Sequence, residues 1–221
     1  MELLVSALLF AHVLSGVFAL VTALVAISNR KGSSNHRLVG KIFFWAMLAV
    51  GVTAIPVTFI RPNAFLFAIA LFSFYMAFAG YRRGKTKFTA QPVDAIAAYA
   101  MLITAVGMIG YGIFLALNVS SIGWALVAFG GIGLNFSIDD IRELKKQLPH
   151  HEKVMRHLQH MLGGTIATIT AVLVQQVSPL IPNALGQTAL WLAPTIIITP
   201  LIFIWSARVA KTKRYRLFPK G

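Results

Sequence analysis

Continuous apolar runs of about twenty residues, separated by short polar connectors, recur seven times along the chain. The runs do not alternate between apolar and polar positions, so they read as helices and not as barrel strands. About twenty helical residues, each advancing roughly 1.5 Å, cover a hydrocarbon core about 30 Å thick. The pattern predicts spans at Leu3–Ser28, Leu38–Ile60, Asn63–Tyr81, Asp94–Leu117, Ile122–Asp140, Val154–Val177 and Leu185–Val209. The expected fold is an all-α integral membrane protein in contact with the lipid bilayer, a seven-transmembrane helix bundle forming one domain over residues 1–221. Connectors as short as Arg61–Pro62 require neighbouring helices to pack antiparallel.

Charge then orients the bundle. Every lysine and arginine except Arg61 falls in the connectors after the first, third and fifth spans, in the adjoining helix ends or in the C-terminal tail. The positive-inside rule places the N-terminus outside and the C-terminus in the cytoplasm. This topology also accounts for the formal net charge of +14, which is split among four segments and does not form one nucleic-acid surface. The tail from Lys211 to Lys220, with Tyr215 and Phe218 interleaved, is expected to act as a stop-transfer anchor, the alternative being attraction to anionic lipid head groups. No basic region precedes the first apolar run, so that span is expected to be retained.

Composition removes several chemistries. There is no cysteine, which excludes disulfides, thiolate metal sites and cysteine-held iron–sulfur clusters. No Gly-rich phosphate loop, Ser-His-Asp ordering or HExxH motif is present, and no lysine lies deep in the seventh span to hold retinal. Glycines at 107, 110, 130, 131, 133, 163 and 164 read as close helix contacts, and Pro56, Pro194 and Pro200 as kinks within spans. Asp94 is expected at a helix N-terminus, where the dipole favours a carboxylate.

Ionisable groups inside a span are costly, so the intramembrane histidines carry the functional reading. His12 lies well inside the first span, and its depth suits a hydrogen bond to Ser, Thr or a backbone carbonyl of a neighbour. His36 opens the second span, and His157 and His160 stand one turn apart at the start of the sixth. His12, His36 and His160 each precede a glycine by four residues (Gly16, Gly40, Gly164), which sets an imidazole beside a bare helix surface with room for a porphyrin plane. Three stripes are expected to converge below the cytoplasmic surface. They are His36, Gly40, Phe43 and Met47; Asn135, Asp139 and Arg142; and His157, His160, Gly164 and Thr168. His150 and His151 follow Pro149 and are expected in the solvated loop.

The cluster supports three readings. In the first, His36 with His157 or His160 holds b-type haem, Gly40 and Gly164 making room, in a protein that exchanges electrons with a membrane partner or quinone. In the second, His36, His157, His160 and Asp139 hold a Zn or Fe ion, and zinc-bound water attacks a lipid-like substrate. In the third, the protein is a small transporter, channel or assembly factor. Its polar cluster is then structural, with Asp139 or Asp140 paired to Arg37, Arg142 or Arg156, or it lines a proton or solute path, with Asp94 and Asn135 in support.

The segment NRKGSSNHRLVGKIFFWAM (Asn29 to Met47), with its KG turn and HRxxGK helix start, resembles an uncharacterised family of bacterial multi-pass membrane proteins with a domain of unknown function. The same likeness returns in AHVLSG (Ala11 to Gly16), FSFYMAFAGYR (Phe72 to Arg82), RHLQHMLGGTIATITA (Arg156 to Ala171) and WLAPTIIITP (Trp191 to Pro200), and so covers nearly the whole chain. The resemblance implies a multi-pass protein of the bacterial cytoplasmic (inner) membrane. It draws attention to His12, His36, Arg37, Gly40, His157, His160 and Gly164, and it brings no established reaction.

Overall fold

A computed structural model describes residues 1–85 and 88–212. It contains seven helices: α1 (Glu2–Ser28), α2 (Ser34–Ile60), α3 (Ala64–Arg83), α4 (Pro92–Asn118), α5 (Gly123–Glu143), α6 (His150–Val177) and α7 (Ala184–Thr212), with a short 3-10 turn (Ser178–Leu180) before α7. Six of them are long and apolar enough to cross a membrane among the described residues, which fits a multi-pass membrane protein. The exception is α5, whose last part carries Asn135, Asp139, Asp140 and Arg142. Lys87 and the basic tail from Lys213 onward lie outside the described residues.

Polar residues cap the starts of α2, α3 and α4. Ser33 accepts a hydrogen bond from the His36 backbone N–H, so α2 starts at Ser34, four residues before its first apolar position. Asn63 caps α3 in the same way through Leu66 N–H. Asp94 accepts from the Gln91 backbone N–H at 2.8 Å behind Pro92, and also takes the Arg82 guanidinium at 2.7 Å through Nε. At α6 the expectation is corrected: His150 and His151 belong to its first turn and not to a loop, since Pro149 is the residue before the helix.

Helices α3 and α6 form the central pair. On one side α4 and α5 pack on α3; on the other, α1 and α2 meet α3 and α6, and α7 closes against α6. The α4–α5 contact is tight enough that a Cβ at Gly123 would stand 2.3 Å from the Gly112 carbonyl oxygen. Phe72, Tyr75, Met76, Met101, Met108, Leu126 and Phe129 fill the core between α3, α4 and α5. A second core joins Ala19 and Ala23 of α1 to Phe43, Met47 and Ala77. The outward faces of α1, α4 and α7 carry exposed Leu, Val, Ile and Phe, as a hydrocarbon solvent requires.

The basic segments gather at one end of the bundle. There the end of α1 meets the start of α2 (His36 Nδ1 to Ala26 O, 3.0 Å), and the end of α3 meets the start of α6 (His157 Nδ1 to Gly80 O, 2.8 Å). At the opposite end Arg61 pairs with Glu2 at 2.6 Å, exposed on both sides, and Thr188 of α7 bonds Ser121 beside α5.

Candidate functional site

The turn between α1 and α2 positions the first histidine. Gly32 adopts φ 81°, a left-handed conformation that glycine reaches without steric cost. Lys31 bonds the terminal carbonyls of α1, including Ile27 O, and satisfies acceptors the helix leaves open. The reversed chain is capped by Ser33, and His36, three residues on, turns its Nδ1 to the Ala26 carbonyl.

His157 is placed by glycine. A Cβ at Gly80 would stand 2.9 Å from the Met161 backbone nitrogen, and one at Gly84 2.8 Å from His157 Nδ1, so these two positions let α6 lie directly on the end of α3. A carbonyl oxygen only accepts, so Nδ1 carries the proton in both His36 and His157, and in the neutral rings Nε2 is left with its lone pair. The two ring centres are 6.3 Å apart and the planes lie 85° to one another.

Both rings line a cavity of about 630 Å³ at the basic end. Ala23, Phe43, Tyr81, Leu158, Met161, Leu162 and Trp205 supply apolar wall, Gly40 and Gly84 leave it open, and Lys31, Arg37, Lys41, Lys85 and Arg208 add positive charge. An apolar chamber with two imidazoles and a basic border suits a flat or elongated apolar molecule bearing anionic groups.

His160 does not join this cavity. It is 0% exposed, donates Nδ1–H to the Arg156 carbonyl at 2.9 Å, and brings Nε2 to 3.3 Å from Asp140 Oδ2. The Tyr75 hydroxyl donates to the same oxygen at 2.7 Å, and Arg83 approaches Oδ1 at 2.7 Å. Arg156 extends the cluster to Glu143 (2.7 Å) and Asp139 (3.0 Å), with Arg142 at 3.9 Å from Asp139 and largely exposed. Arg83, Asp140 and Glu143 are the most deeply buried of these ions, and three helices hold the network.

The expected single cluster is therefore two. His36 and His157 share the cavity, while His160 belongs to the ion network with Asp140. Asp139 is engaged by Arg156 in the second cluster, and among the described residues no three His, Asp or Glu side chains converge on one metal position. The stripe Asn135, Asp139, Arg142 is also corrected: Asn135 and Arg142 are exposed. The buried face of α5 runs through Gly130, Gly133, Ser137 and Asp140, one residue round the helix.

Gly164 makes room for protein: a Cβ there would meet Phe43 at 3.5 Å and the Ala77 backbone at 3.6 Å. The α2 and α6 stripes do meet, with Thr168 donating to Met47 Sδ at 3.4 Å. His12 bonds across to α2 through Val50 O (3.1 Å) and Thr53 Oγ1 (3.2 Å), the role its depth suggested. Tyr75 and Arg83 were not singled out in the sequence. Arg83 is counted there with the topological charges, although it is 4% exposed.

A comparison with protein families, with curated proteins and with solved structures finds no match for this chain.

Proposed function

We propose that this is a seven-span protein of the bacterial cytoplasmic membrane, its basic end inward, that binds b-type haem between His36 and His157 and exchanges electrons with a membrane partner or quinone. The observation that carries the reading is the pair of imidazoles in the 630 Å³ cavity, each with Nδ1 bonded to a backbone carbonyl. Iron-ligating histidines are oriented in that way, because the second-nitrogen bond fixes the tautomer and raises the basicity of Nε2. The two ring centres stand 6.3 Å apart, so both imidazoles are within reach of one bound group. The apolar wall suits a porphyrin face, and the basic border suits its propionates.

Positive-inside orientation supports the inward basic end, and α5, packed closely along α4 through Gly112, Gly123 and Gly130, supports a seventh crossing despite its polar end. The bacterial multi-pass family that the sequence resembles draws attention to the same two histidines.

Titration of the protein in mild detergent with haemin, followed by absorption and paramagnetic resonance spectra, tests the reading. One equivalent bound in a six-coordinate low-spin form is expected, converting to high-spin in His36→Ala or His157→Ala and lost when both are replaced. Saturation with unchanged spectra in the double variant, or no stoichiometric uptake by the wild type, would remove it.

The alternative, a transporter or assembly factor with a structural polar cluster, is favoured by one observation: Asp139, Asp140 and Glu143 are all held by arginines. Full cellular activity in the His36, His157 double variant would select it.

A further inference from the structure

The cluster around His160 leaves a buried imidazole nitrogen unmatched, which the cavity does not explain. The groups facing the Asp140–His160 contact are Tyr75 and Arg83 from α3, Asp139 and Glu143 from α5, and Arg156 and His157 from α6, with His36 of α2 beyond His157. Two guanidinium groups, Arg83 and Arg156, meet the two buried carboxylates Asp140 and Glu143, and Arg156 also holds Asp139, whose side chain is 27% exposed. Arg142 is mostly in solvent and only 3.9 Å from Asp139. The neighbouring Asp94 is neutralised by Arg82. His160 Nε2 is nevertheless buried with no hydrogen-bond partner beside Asp140, and such an atom is costly unless a proton on one of the two groups makes the bond.

One place is shaped for that proton. His160 Nδ1 is committed to the Arg156 carbonyl, so Nε2 is the nitrogen whose protonation is open, and it faces Asp140 Oδ2 at 3.3 Å. The imidazole is buried between Phe136, 4.6 Å centre to centre, and Tyr75. Beside Asp140 lies a void of about 10 Å³, bordered by Tyr75, Arg83, Glu143 and Phe88 of the α3–α4 connector. That is the room one water molecule takes. Arg83 Nε, Asp140 Oδ1 and Glu143 Oε2 have unused hydrogen-bonding capacity there.

We propose that Asp140 and His160 form a proton-binding centre that holds one proton between Oδ2 and Nε2 and exchanges it towards the basic end past Arg83 and Glu143. The assignment of this centre does not rest on which molecule the cavity binds. His157 stands one turn from His160, so a charge placed in the cavity and this proton act on each other through α6.

The test is nitrogen NMR of the protein labelled with ¹⁵N-histidine in lipid nanodiscs near pH 7, together with its infrared spectrum in H2O and D2O. Either His160 has both ring nitrogens protonated, or Asp140 gives a carboxylic acid band that shifts in D2O and moves in Asp140→Glu. Both outcomes locate the proton in the pair. A neutral His160 with a bare Nε2 beside an ionised Asp140 overturns the proposal. His160 is assigned with His160→Gln, or by elimination with the five other single His→Gln variants if that one does not fold. The measurement itself is made on the wild type.

Discussion

His157 fits against the end of α3 only because residue 84 has no side chain: a Cβ on Gly84 would stand 2.8 Å from Nδ1, the atom that donates to the Gly80 carbonyl. Gly84→Ala should displace the ring while leaving the helices in place, since Gly84 follows the last residue of α3. Haemin affinity is expected to fall at least tenfold, with thermal unfolding in detergent little changed. Undiminished affinity would show that the ring's tether is unimportant.

Glycines in this bundle should divide by what surrounds them. Gly123→Ala drives a Cβ to 2.3 Å from a backbone oxygen and 2.4 Å from the Ala116 nitrogen, so α4 and α5 must separate. A loss of about 3 kcal/mol is expected, at the upper end for overpacking. Gly107→Ala and Gly110→Ala meet nothing within 4 Å and should be neutral or stabilising by about 0.5 kcal/mol, the helix-propensity gain. Denaturation of the three variants side by side gives the ranking.

Arg83→Ala should be among the most destabilising arginine replacements, because it strands Asp140 in a buried site where the pair is about 5% exposed. About 3 to 5 kcal/mol is expected from breaking such a pair. Arg61→Ala breaks a pair of similar length at the opposite end, but with 55% and 80% exposure. It should cost less than about 1 kcal/mol.

His12→Ala should act on the α1–α2 contact alone. Removing its bonds to Val50 and Thr53 is expected to cost about 1 kcal/mol. Haemin uptake should stay at the wild-type level, and a loss of binding would bring His12 into the site.

Gly32→Ala should cost about 1 to 2 kcal/mol for the left-handed backbone that the turn requires. Gly32→Asn should recover part of it, since asparagine tolerates that region better. Equal stability of all three proteins would mean that the turn readily takes another shape.

The helices were legible because hydrocarbon-length apolar runs have one physical solution, and the depth of His36 against His157 followed from counting residues along straight helices. What escaped was rotation about the helix axes. Asp139 and Asp140 are neighbours in sequence, and no charge rule says which faces inward. The deciding signal lay in Gly130, Gly133 and Ser137, which share their face with Asp140 and line the approach to α3 and α4. Arg83 was hidden for a related reason: a basic residue at a helix end looks the same in sequence whether it meets water or a buried carboxylate.

The sixth helix sends side chains three residues apart into different surroundings, His157 to the large chamber and His160 to the sealed ions. One residue of axial rotation is about 100°, so a modest twist would disturb both imidazoles at once. Met161 against Gly80 and Met76 against Gly163 act as stops on either side of that rotation. The two imidazole environments are thus mounted on one shaft, α6.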